Sequence, residues 1–426
     1  MSSIVYNATP PSRRIELYHA VAANDMKQLQ ILARPLVGHT IWHINSATQG
    51  GGVAELLRSQ VALEQGLGLN SIWLVIRPAD PHFFVVTKKI HNGLQGDTTP
   101  PTRTEWKLYA AESQRFAQAL EEQGRLNPAN LIIAHDPQPL AAVRDLSAAV
   151  SSVLRIHPDI CHPSPWALDW LCAQVPHFDR TIVSRQDCRP TCLINPATIV
   201  IAPAIDPLAE KNVRLPRPMC QAVLAAHNIN PQRPLIAQVS RFDKWKDQLG
   251  VLAAYQQAKL EIPELQLALV GFLNVEDDPE AAAYYENVRQ TAAADPDVHL
   301  FSELKQLHDI SQDTFVNAIQ TASDIIIQKS IREGFGLTVA EAMWKSTPVI
   351  GSFAGGIALQ IQHEHNGVLV QSIEETAKAI TRLLKNPEER RRLGTIGHVS
   401  VHERFLLPRY LVQHLSLYTT LQKGTQ

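Results

Sequence analysis

The chain has 426 residues, of which 45% are hydrophobic and 19% are charged, and its formal net charge is −2. This length exceeds the size at which one hydrophobic core keeps growing, so we expect two domains of roughly 200 residues each with a cleft between them. The composition is that of a globular protein and argues against disorder. Proteins that bind nucleic acids or membrane surfaces usually carry a basic excess on one face, so the small net charge argues against both partners.

The cysteines and the apolar runs bear on the cellular compartment. An odd number and an irregular spacing favour reduced thiols in a cytosolic enzyme over a disulfide scaffold. The five residues concerned are Cys161, Cys172, Cys188, Cys192 and Cys220. No uninterrupted apolar run has the length of a membrane span, and the N-terminal segment lacks the continuous apolar core of a signal peptide. The sequence therefore predicts a cytoplasmic protein.

The first half alternates short apolar runs with helical patterns. The run "HTIWHINS", residues 39–46, predicts a buried strand, and "VAELLRSQVALEQGLG" from Val53 has the 3.6-residue apolar recurrence of a helix. Further apolar runs follow in "NSIWLVIRP", "NLIIAHDPQP", "SVLRIHPDI" and "RTIVSRQD". This alternation predicts a mostly parallel sheet covered by helices.

The pattern pauses at residues 204–218, "AIDPLAEKNVRLPRP", which are rich in proline and charge and which we interpret as a linker. A second series of strands follows in "RPLIAQVSRF", "LQLALVGF", "DVHLF", "SDIIIQKS", "TPVIG" and "GVLVQS". The predicted fold class is α/β, with two consecutive doubly wound, Rossmann-like units. The predicted domains are residues 1–210 and 211–402.

Two cations follow the first strand of the second half. In open parallel sheets, ligands bind beyond the carboxyl ends of the strands, so residues placed there are the first candidates for function. Arg241 and Lys246 lie between that strand and the next helix and could neutralise a diphosphate. Lys244 is a competing candidate. The structural alternative is ion pairing with Asp243 and Asp247, which is common at surfaces and contributes little.

The stretch "IREGFGLTVAEAMWK" places two glutamates around a glycine-rich bend at the start of a helix. A helix N-terminus binds anions, and Gly334 and Gly336 allow the backbone to approach a ligand closely. For Glu341 a capping box with Thr338 is an equally good explanation. For Glu333 that alternative is weaker, because this residue precedes the helix.

The first half contains a glycine-rich turn, Gly50 to Gly52, between a strand and a helix. Such a turn can offer backbone contacts to a phosphate or a sugar, although it could also be only a flexible turn. It matches neither the dinucleotide-binding fingerprint nor the P-loop, so binding of NAD or ATP loses its main support.

Histidine and aspartate residues follow two further strands of the first half. His157 and Asp159, together with Asp136, could bind sugar hydroxyls or stabilise charge at a reacting carbon, although each could equally be a structural turn former. A metal site built on His157, Cys161 and His162 is not expected, because no second pair of ligands has zinc-site spacing.

The motifs of the second half, "SRFDKWKD", "LVGF", "EGFGLTVAEAM" and "PVIGSFAGG", resemble the donor domain of retaining glycosyltransferases of family 4, which have the GT-B fold. In the first half, "IWHINSATQGGGVAELLRSQVALEQGLGLNSIWLVI", "FFVVTKKIHNGLQG" and "AHDPQP" resemble the trehalose glycosyltransferring synthases. The similarity extends from about Gly38 to Gly367. Fungal-type retaining trehalose phosphorylases share much of the pattern. The resemblance also implies that residues 403–426 form a helix that crosses back to the first domain.

That resemblance implies a role for each candidate residue. His157 would contact the donor sugar near the reacting carbon, and Asp136 would help to bind the acceptor. Glu341 would hold the ribose, and Glu333 with the backbone that follows would hold the donor sugar. The remaining donor-binding residues would be Gly51, Gly52, Arg241, Lys246, Gly334, Phe335, Gly336 and Leu337. Pro158 departs from the expected pattern and puts strict specificity for trehalose in doubt.

The expected reaction is reversible transfer of glucose from a nucleotide-diphosphate-glucose, such as UDP-glucose or ADP-glucose, to free glucose. The resemblance favours attack from the same face, with retention and with the departing diphosphate taking the acceptor proton. No cofactor is expected, although Mg²⁺ could stimulate diphosphate departure. The alternatives are a trehalose phosphorylase, a glucosyltransferase with another small acceptor, and an inactive sugar-nucleotide-binding protein. The nucleotide base and the oligomeric state, including a homodimer, stay open.

Overall fold

The computed structural model describes residues 5–10, 15–49, 51–122, 129–273 and 280–423. The chain divides into two compact units. The first contains the described residues up to Pro203 and those from Leu407 onward, and the second contains the described residues between Ala204 and Leu406. The sequence-based boundaries at residues 210 and 402 lie a few residues from these divisions.

The first unit is built around a seven-stranded sheet in the order β1-β3-β2-β4-β5-β6-β7. Its strands are β1 (Val5–Ala8), β2 (Thr40–Asn45), β3 (Asn70–Ile76), β4 (Leu131–His135), β5 (Ser151–Arg155), β6 (Arg180–Val183) and β7 (Thr198–Val200). Only β1 runs antiparallel, at the edge beside β3, and the other neighbours pair in parallel. Runs rich in valine, isoleucine and leucine suit such a sheet because both of its faces are covered.

Helices cover the first sheet. They are α1 (Glu16–Ala33), α2 (Gly52–Gly66), α3 (His82–Leu94), α4 (Arg103–Glu122), α5 (Pro137–Leu146) and α6 (Pro165–Gln174), with short 3₁₀ helices at Arg34–Leu36, Val175–His177 and Thr191–Leu193. The main core joins strand residues such as Trp42 and Ile132 to helix residues such as Phe83 and Phe116, all buried.

The second unit has a six-stranded, wholly parallel sheet in the order β10-β9-β8-β11-β12-β13. Its strands are β8 (Leu235–Val239), β9 (Gln266–Val270), β10 (Val298–Phe301), β11 (Ile325–Gln328), β12 (Val349–Ser352) and β13 (Val368–Val370). Its helices are α7 (Arg217–Ala226), α8 (Gln248–Lys259), α9 (Ala281–Ala292), α10 (Gln312–Ala322), α11 (Leu337–Trp344), α12 (Gly355–Gln360), α13 (Ile373–Lys385) and α14 (Pro387–Arg404), with 3₁₀ helices at Lys244–Lys246 and Leu304–Leu307.

The last helix, α15 (Leu407–Lys423), belongs to the first unit, where it packs against α1. Its side chains Tyr410, His414 and Tyr418 are buried there. Within the described ranges, no helix combines the length and the hydropathy that a bilayer span requires.

Each sheet contains one point at which the order of strands reverses. In the first unit the reversal falls between β2 and β4, and in the second unit it falls between β8 and β11. Loops that leave neighbouring strands at such a point diverge to opposite faces and open a crevice, where ligands of open α/β sheets bind. The candidate residues that follow β2, β4, β8 and β11 therefore lie at the two reversal points.

The expectation of reduced thiols is wrong for four of the five cysteines. Cys161 is bonded to Cys188 and Cys172 to Cys192, while Cys220 stays a buried thiol. Cys161 follows β5 and Cys188 follows β6, and these strands are neighbours in the sheet. Strand pairing therefore brings together cysteines that are 27 positions apart, and their spacing along the sequence could not indicate that.

Candidate active site

In the second unit, the turn after β8 places Lys246 beside Glu333. Gln238 Nε2 donates to the Lys246 carbonyl at 2.8 Å, and Asp247 adopts a left-handed backbone conformation with φ 53° as α8 begins. The Trp245 carbonyl accepts from the amide of Ile331 at 2.8 Å, which ties this turn to the loop after β11. The two loops at the reversal point are thus held together by backbone contacts.

Lys246 and Glu333 form a largely buried ion pair. Lys246 Nζ donates to Glu333 Oε2 at 2.6 Å, and the Ser330 hydroxyl lies 3.3 Å from the same oxygen. The two charged side chains are only 18% and 10% exposed. Asp247, which the sequence offered as a partner for Lys246, pairs with Lys329. Glu333 therefore balances the charge of Lys246.

Arg241 and the bend before α11 complete the cluster. Arg241 lies two residues after the end of β8 and is half-buried, and its carbonyl accepts from Gln248 Nε2 at 2.7 Å. Gly336 caps α11 with φ 82°, a conformation that favours glycine. A Cβ on Gly356 would come within 2.1 Å of Phe335 Cα, so α12 approaches the bend as closely as its backbone permits.

Further hydrogen bonds hold the bend that precedes α11. The amide of Gly356 donates to the Glu333 carbonyl at 2.8 Å, and Gln360 Nε2 donates to the Phe335 carbonyl at 2.6 Å. These bonds fix the segment Gly334 to Leu337. The first N–H groups of a helix have no acceptor within the helix, so the start of α11 at Leu337 can offer donors to an anion.

Glu341 is a buried carboxylate and not a helix cap. It is 1% exposed, and its oxygens lie 3.3 Å from Lys211 Nζ and 3.2 Å from Gln320 Nε2. The hydroxyl of Thr338 donates to the Val239 carbonyl at 3.0 Å. Since Gly336 is the N-cap, the capping-box explanation is wrong. Neither Lys211 nor Gln320 was predicted, because both come from segments distant in sequence.

In the first unit, the glycine-rich turn leads into α2. Gly51 is the N-cap of that helix and Gly52 its first residue. A Cβ on Gly51 would have no atom within 4 Å, so the first unit's own packing does not demand glycine there. Gly50 lies outside the described residues. The start of α2, the next helix after β2 along the chain, provides a second helix N-terminus at a reversal point.

Asp136 and His157 meet where β4 and β5 end. Asp136 has φ 68° and ψ −175°, and its amide donates to the Arg155 carbonyl at 3.0 Å. Its Oδ1 in turn accepts from the backbone amide of His157 at 2.8 Å. A non-glycine residue in such a conformation costs on the order of 1–3 kcal/mol, and strain of this kind concentrates at functional sites. Asp136 therefore fixes the backbone that presents His157.

His157 is one end of a row of hydrogen bonds that the sequence did not reveal. His157 Nε2 lies 3.0 Å from His135 Nδ1, and His135 Nε2 lies 3.1 Å from His43 Nδ1. His43 Nε2 reaches Glu64 Oε2 at 3.0 Å. We call Glu64, His43, His135 and His157 the histidine row. His43 and His135 lie within apolar strand segments, and a histidine inside such a run was the available signal.

The row lies in an interior that disfavours positive charge. Burial, with His157 and His43 nearby, holds the pKa of His135 well below its usual value, and burial together with the Arg155 guanidinium does the same to the pKa of His157. Arg155 is fully buried, and its Nε and Nη1 have no hydrogen-bond partner among the described residues. His135 and His157 are therefore neutral at neutral pH.

A metal site receives little support from this unit. Across the described part of the chain, Asp159, Cys161 and Cys188 form one group with metal-like proximity. The sulfurs of Cys161 and Cys188 are bonded to each other, and thiolates rather than disulfides are metal ligands. Asp159 Oδ1 accepts instead from the Cys161 amide at 3.0 Å.

Comparisons with known proteins bear on both units. The model of the trehalose synthase N-terminal domain matches residues 43–190, and that of glycosyl transferases group 1 matches residues 221–398. The trehalose synthase of Rubrobacter xylanophilus is 38% identical over 98% of this chain and 99% of that protein. That of Pyrococcus horikoshii is 35% identical over 96% and 97%, respectively.

A trehalose phosphorylase of Pleurotus pulmonarius is also related, with 28% identity over 80% of this chain and 51% of that protein. A solved UDP-forming trehalose-phosphate synthase of Burkholderia xenovorans has a TM-score of 0.71 and 15% identity over 90% of this chain and 98% of its own. That likeness confirms the GT-B fold predicted from the sequence. With near-complete coverage by a trehalose synthase at 38% identity, the chain belongs to the trehalose synthase family of GT-B glycosyltransferases.

Proposed function

We propose that the protein transfers a glucosyl residue from a nucleotide-diphosphate-glucose to free glucose, reversibly and with retention, to form trehalose. The observation that carries the proposal is the Lys246–Glu333 pair at the second-unit reversal point, beside the start of α11. Relatives that bear the name trehalose synthase over nearly the full chain support the choice of product.

The residues that would bind the sugar-nucleotide donor are proposed from their charges and hydrogen-bond donors. A lysine ammonium has three N–H donors, so Lys246 can keep its bond to Glu333 and still contact phosphate oxygens. Arg241 and the first N–H groups of α11 would supply further donors to the diphosphate. Both side-chain donors to Glu333 reach Oε2, which leaves Oε1 able to accept from a sugar hydroxyl. Donors arranged in this way stabilise the leaving diphosphate as negative charge develops on it.

The remaining roles are proposed from the family resemblance. Glu341 lies on α11, and Lys211 and Gln320 hold its carboxylate. This carboxylate would bind the ribose hydroxyls. In the first unit, Gly51 and Gly52 would offer backbone contacts to the phosphate and sugar. Asp136 would bind the acceptor, and His157 would contact the donor sugar.

The mechanism that we propose is attack from the face on which the diphosphate leaves. A double displacement would need a carboxylate on the opposite face of the sugar, as in retaining hydrolases. Same-face attack needs no such group, because the departing diphosphate can take the acceptor proton. Mg²⁺ could assist the departure, and its effect is measured by adding EDTA to the assay.

The test is incubation of the purified protein with glucose and UDP-glucose, ADP-glucose or GDP-glucose in turn. The expected result is α,α-linked trehalose, identified by NMR from its anomeric signals. An inverted linkage would refute retention, and no transfer from any donor would refute the proposal. Other small sugars in place of glucose test whether Pro158 changes the choice of acceptor.

The phosphorylase alternative has its own support in the Pleurotus relative. A phosphorylase releases glucose from trehalose when inorganic phosphate is added and forms glucose 1-phosphate. A nucleotide-dependent enzyme releases glucose when UDP or ADP is added and forms the nucleotide-sugar. Parallel incubations of trehalose with phosphate and with each nucleotide therefore separate the two activities. Binding of nucleotide without turnover in any incubation would favour an inactive binding protein.

A further inference from the structure

The histidine row connects Glu64 to His157 without a gap. Its three hydrogen bonds measure 3.0, 3.1 and 3.0 Å. Glu64 and His43 are fully buried, and His135 is 1% exposed. Both ring nitrogens of the two inner histidines are engaged within the row. A neutral imidazole has one N–H and one lone pair, so the tautomer of each ring determines that of the next.

The Glu64 end of the row is surrounded by donors. Gln60 Nε2 donates to Glu64 Oε1 at 2.9 Å, and the Ser71 hydroxyl donates to Oε2. The Tyr410 hydroxyl lies 3.2 Å from Gln60 Oε1, so this amide presents its NH₂ group to the carboxylate. A carboxylate with a donor at each oxygen acts as an acceptor at both. The bond to His43 is therefore one in which His43 donates.

The direction of that bond fixes the direction of the other two. When the His43 ring is neutral and donates from Nε2 to Glu64, its Nδ1 carries a lone pair and accepts from His135 Nε2–H. His135 Nδ1 is then an acceptor as well, and it receives the N–H of His157 Nε2. His157 Nδ1 is left with a lone pair. A carboxylate three residues away along the row thus determines which nitrogen of His157 is protonated.

We propose that Glu64, His43 and His135 are positioning residues that lock His157 in the Nε2–H tautomer, so that Nδ1 accepts a hydrogen bond from a sugar hydroxyl. The part of this inference that concerns a sugar rests on the proposed function. The part that concerns the tautomer does not. No proton transfer along the row is involved, since the arrangement acts by orienting one ring and one lone pair.

The surroundings of the row favour neutral rings over a charged one. The buried Arg155 guanidinium already brings a positive charge to this interior. His414 of α15 adds another ring, whose Nδ1 lies 2.9 Å from the Tyr418 hydroxyl. Burial and Arg155 hold the pKa of His414 well below its usual value. The lowered pKa values of His135 and His157 leave the two rings nearest Arg155 without a charge of their own.

The first experiment needs no variant and no ligand. Long-range ¹H–¹⁵N correlation spectra of the full chain labelled with [¹⁵N]histidine distinguish protonated from bare ring nitrogens. We expect His43, His135 and His157 to be Nε2–H tautomers at neutral pH, with signals assigned by single His→Gln substitutions. An Nδ1–H tautomer or an imidazolium at His157 would overturn the proposal.

The second experiment uses Glu64→Gln to reverse the direction of the hydrogen bonds in the row. If the side-chain carbonyl of the introduced glutamine faces Gln60, its NH₂ group faces His43 Nε2 and donates to it. The reversal then passes through both inner rings and places the proton of His157 on Nδ1. Glu112→Gln is the matched control, because Glu112 is a buried carboxylate of the same unit that accepts from the Ala79 amide at 2.9 Å. Only the Glu64 variant should change the tautomer of His157.

The kinetic experiment uses glucose and a series of monodeoxyfluoroglucoses as acceptors or as parts of the donor. Fluorine cannot donate a hydrogen bond, so a lone pair on Nδ1 should disfavour fluorine at the one position that faces His157. We expect wild type and Glu112→Gln to discriminate against that sugar about tenfold more strongly than Glu64→Gln does. A reversed tautomer with unchanged discrimination would overturn the role in binding. Absence of transfer by wild type would instead refute the proposed function. The tautomer of His157 would then still be decided by the spectra alone.

Discussion

Replacement of Lys246 by methionine tests the donor site most directly. Methionine keeps much of the length of the side chain and removes both the charge and the N–H donors. Lys246 Nζ lies 2.6 Å from Glu333 Oε2, and the two side chains are 18% and 10% exposed. The substitution therefore has two expected effects, one on diphosphate binding and one on the Glu333 carboxylate that is left behind.

The magnitude follows from the burial of the pair. A hydrogen bond to a charged group contributes about 1.5–3 kcal/mol, and loss of one partner of a fully buried pair costs about 3–5 kcal/mol. Lys246 and Glu333 retain some contact with water, so the lower range applies. We expect the affinity for UDP or ADP and the kcat/KM for the sugar nucleotide to fall about 10- to 150-fold, and the free energy of unfolding to fall by about 1.5–3 kcal/mol.

Two measurements separate these effects. Titration calorimetry with UDP or ADP gives the affinity, and urea unfolding without ligand gives the stability. Lys244→Met is the matched control, because Lys244 lies in the same turn, is exposed and packs over the Trp245 ring at 5.1 Å. That variant should leave the nucleotide affinity within about twofold of wild type.

The double variant Lys246→Met with Glu333→Gln decides how the stability loss arises. If the loss comes from an uncompensated carboxylate, the second substitution should restore part of it while leaving nucleotide binding weak. The opposite outcome, a folded Lys246→Met variant that binds nucleotide like wild type, would show that Lys246 serves only to balance Glu333. The diphosphate assignment would then be wrong.

Three further predictions concern the first unit. Asp136→Ala should lower the free energy of unfolding by about 1–3 kcal/mol, because it removes the acceptor of the His157 amide. Asp136→Asn keeps an acceptor oxygen and should lower the free energy of unfolding less. Urea unfolding of both variants measures the difference. In the folded state, burial lowers the pKa values of His135, His157 and His414 below 6.5. The unfolded chain therefore binds more protons, and the free energy of unfolding should fall as the pH drops below about 6.5, by about 1.4 kcal/mol per pH unit for each neutral ring. Unfolding at pH 7.5, 6.5 and 5.5 measures this slope, and a flat profile would contradict the prediction. The disulfides span 27 and 20 residues, so in the chain-entropy model reduction of each should cost about 3.5 kcal/mol; an unchanged urea midpoint in dithiothreitol would contradict this.

The sequence predicted the parts of the fold that depend on local pattern. Apolar runs separated by helical periodicity indicated two parallel α/β units, because strands buried on both faces are nearly continuous apolar segments. The same rule placed Arg241, Lys246 and Glu333 after strands. The structure adds that β8 and β11 are neighbours at the reversal point, which is a property of strand order and cannot be derived from the runs themselves.

Long-range partners were beyond the reach of the sequence. Glu341 pairs with Lys211, 130 positions earlier, and so a local capping box with Thr338 looked equally good. The disulfides were missed for the same reason. His43 and His135, 92 positions apart, lie on different strands, and nothing in either segment specifies the register that brings their rings together. Spacing reports contacts within a helix or a strand, whereas these contacts depend on which strands are neighbours.

The candidate residues of the two units differ in charge, and this difference is consistent with the binding of different substrate groups by each unit. In the second unit, Lys246 and Arg241 lie beside the start of α11, so the groups gathered there can stabilise negative charge. In the first unit, burial and the nearby Arg155 guanidinium lower the pKa values of His135 and His157 and keep both rings neutral. A neutral acceptor nitrogen at His157 favours hydroxyl groups as ligands. The proposed binding of a nucleotide diphosphate by the second unit and of a neutral sugar by the first is consistent with both electrostatic environments.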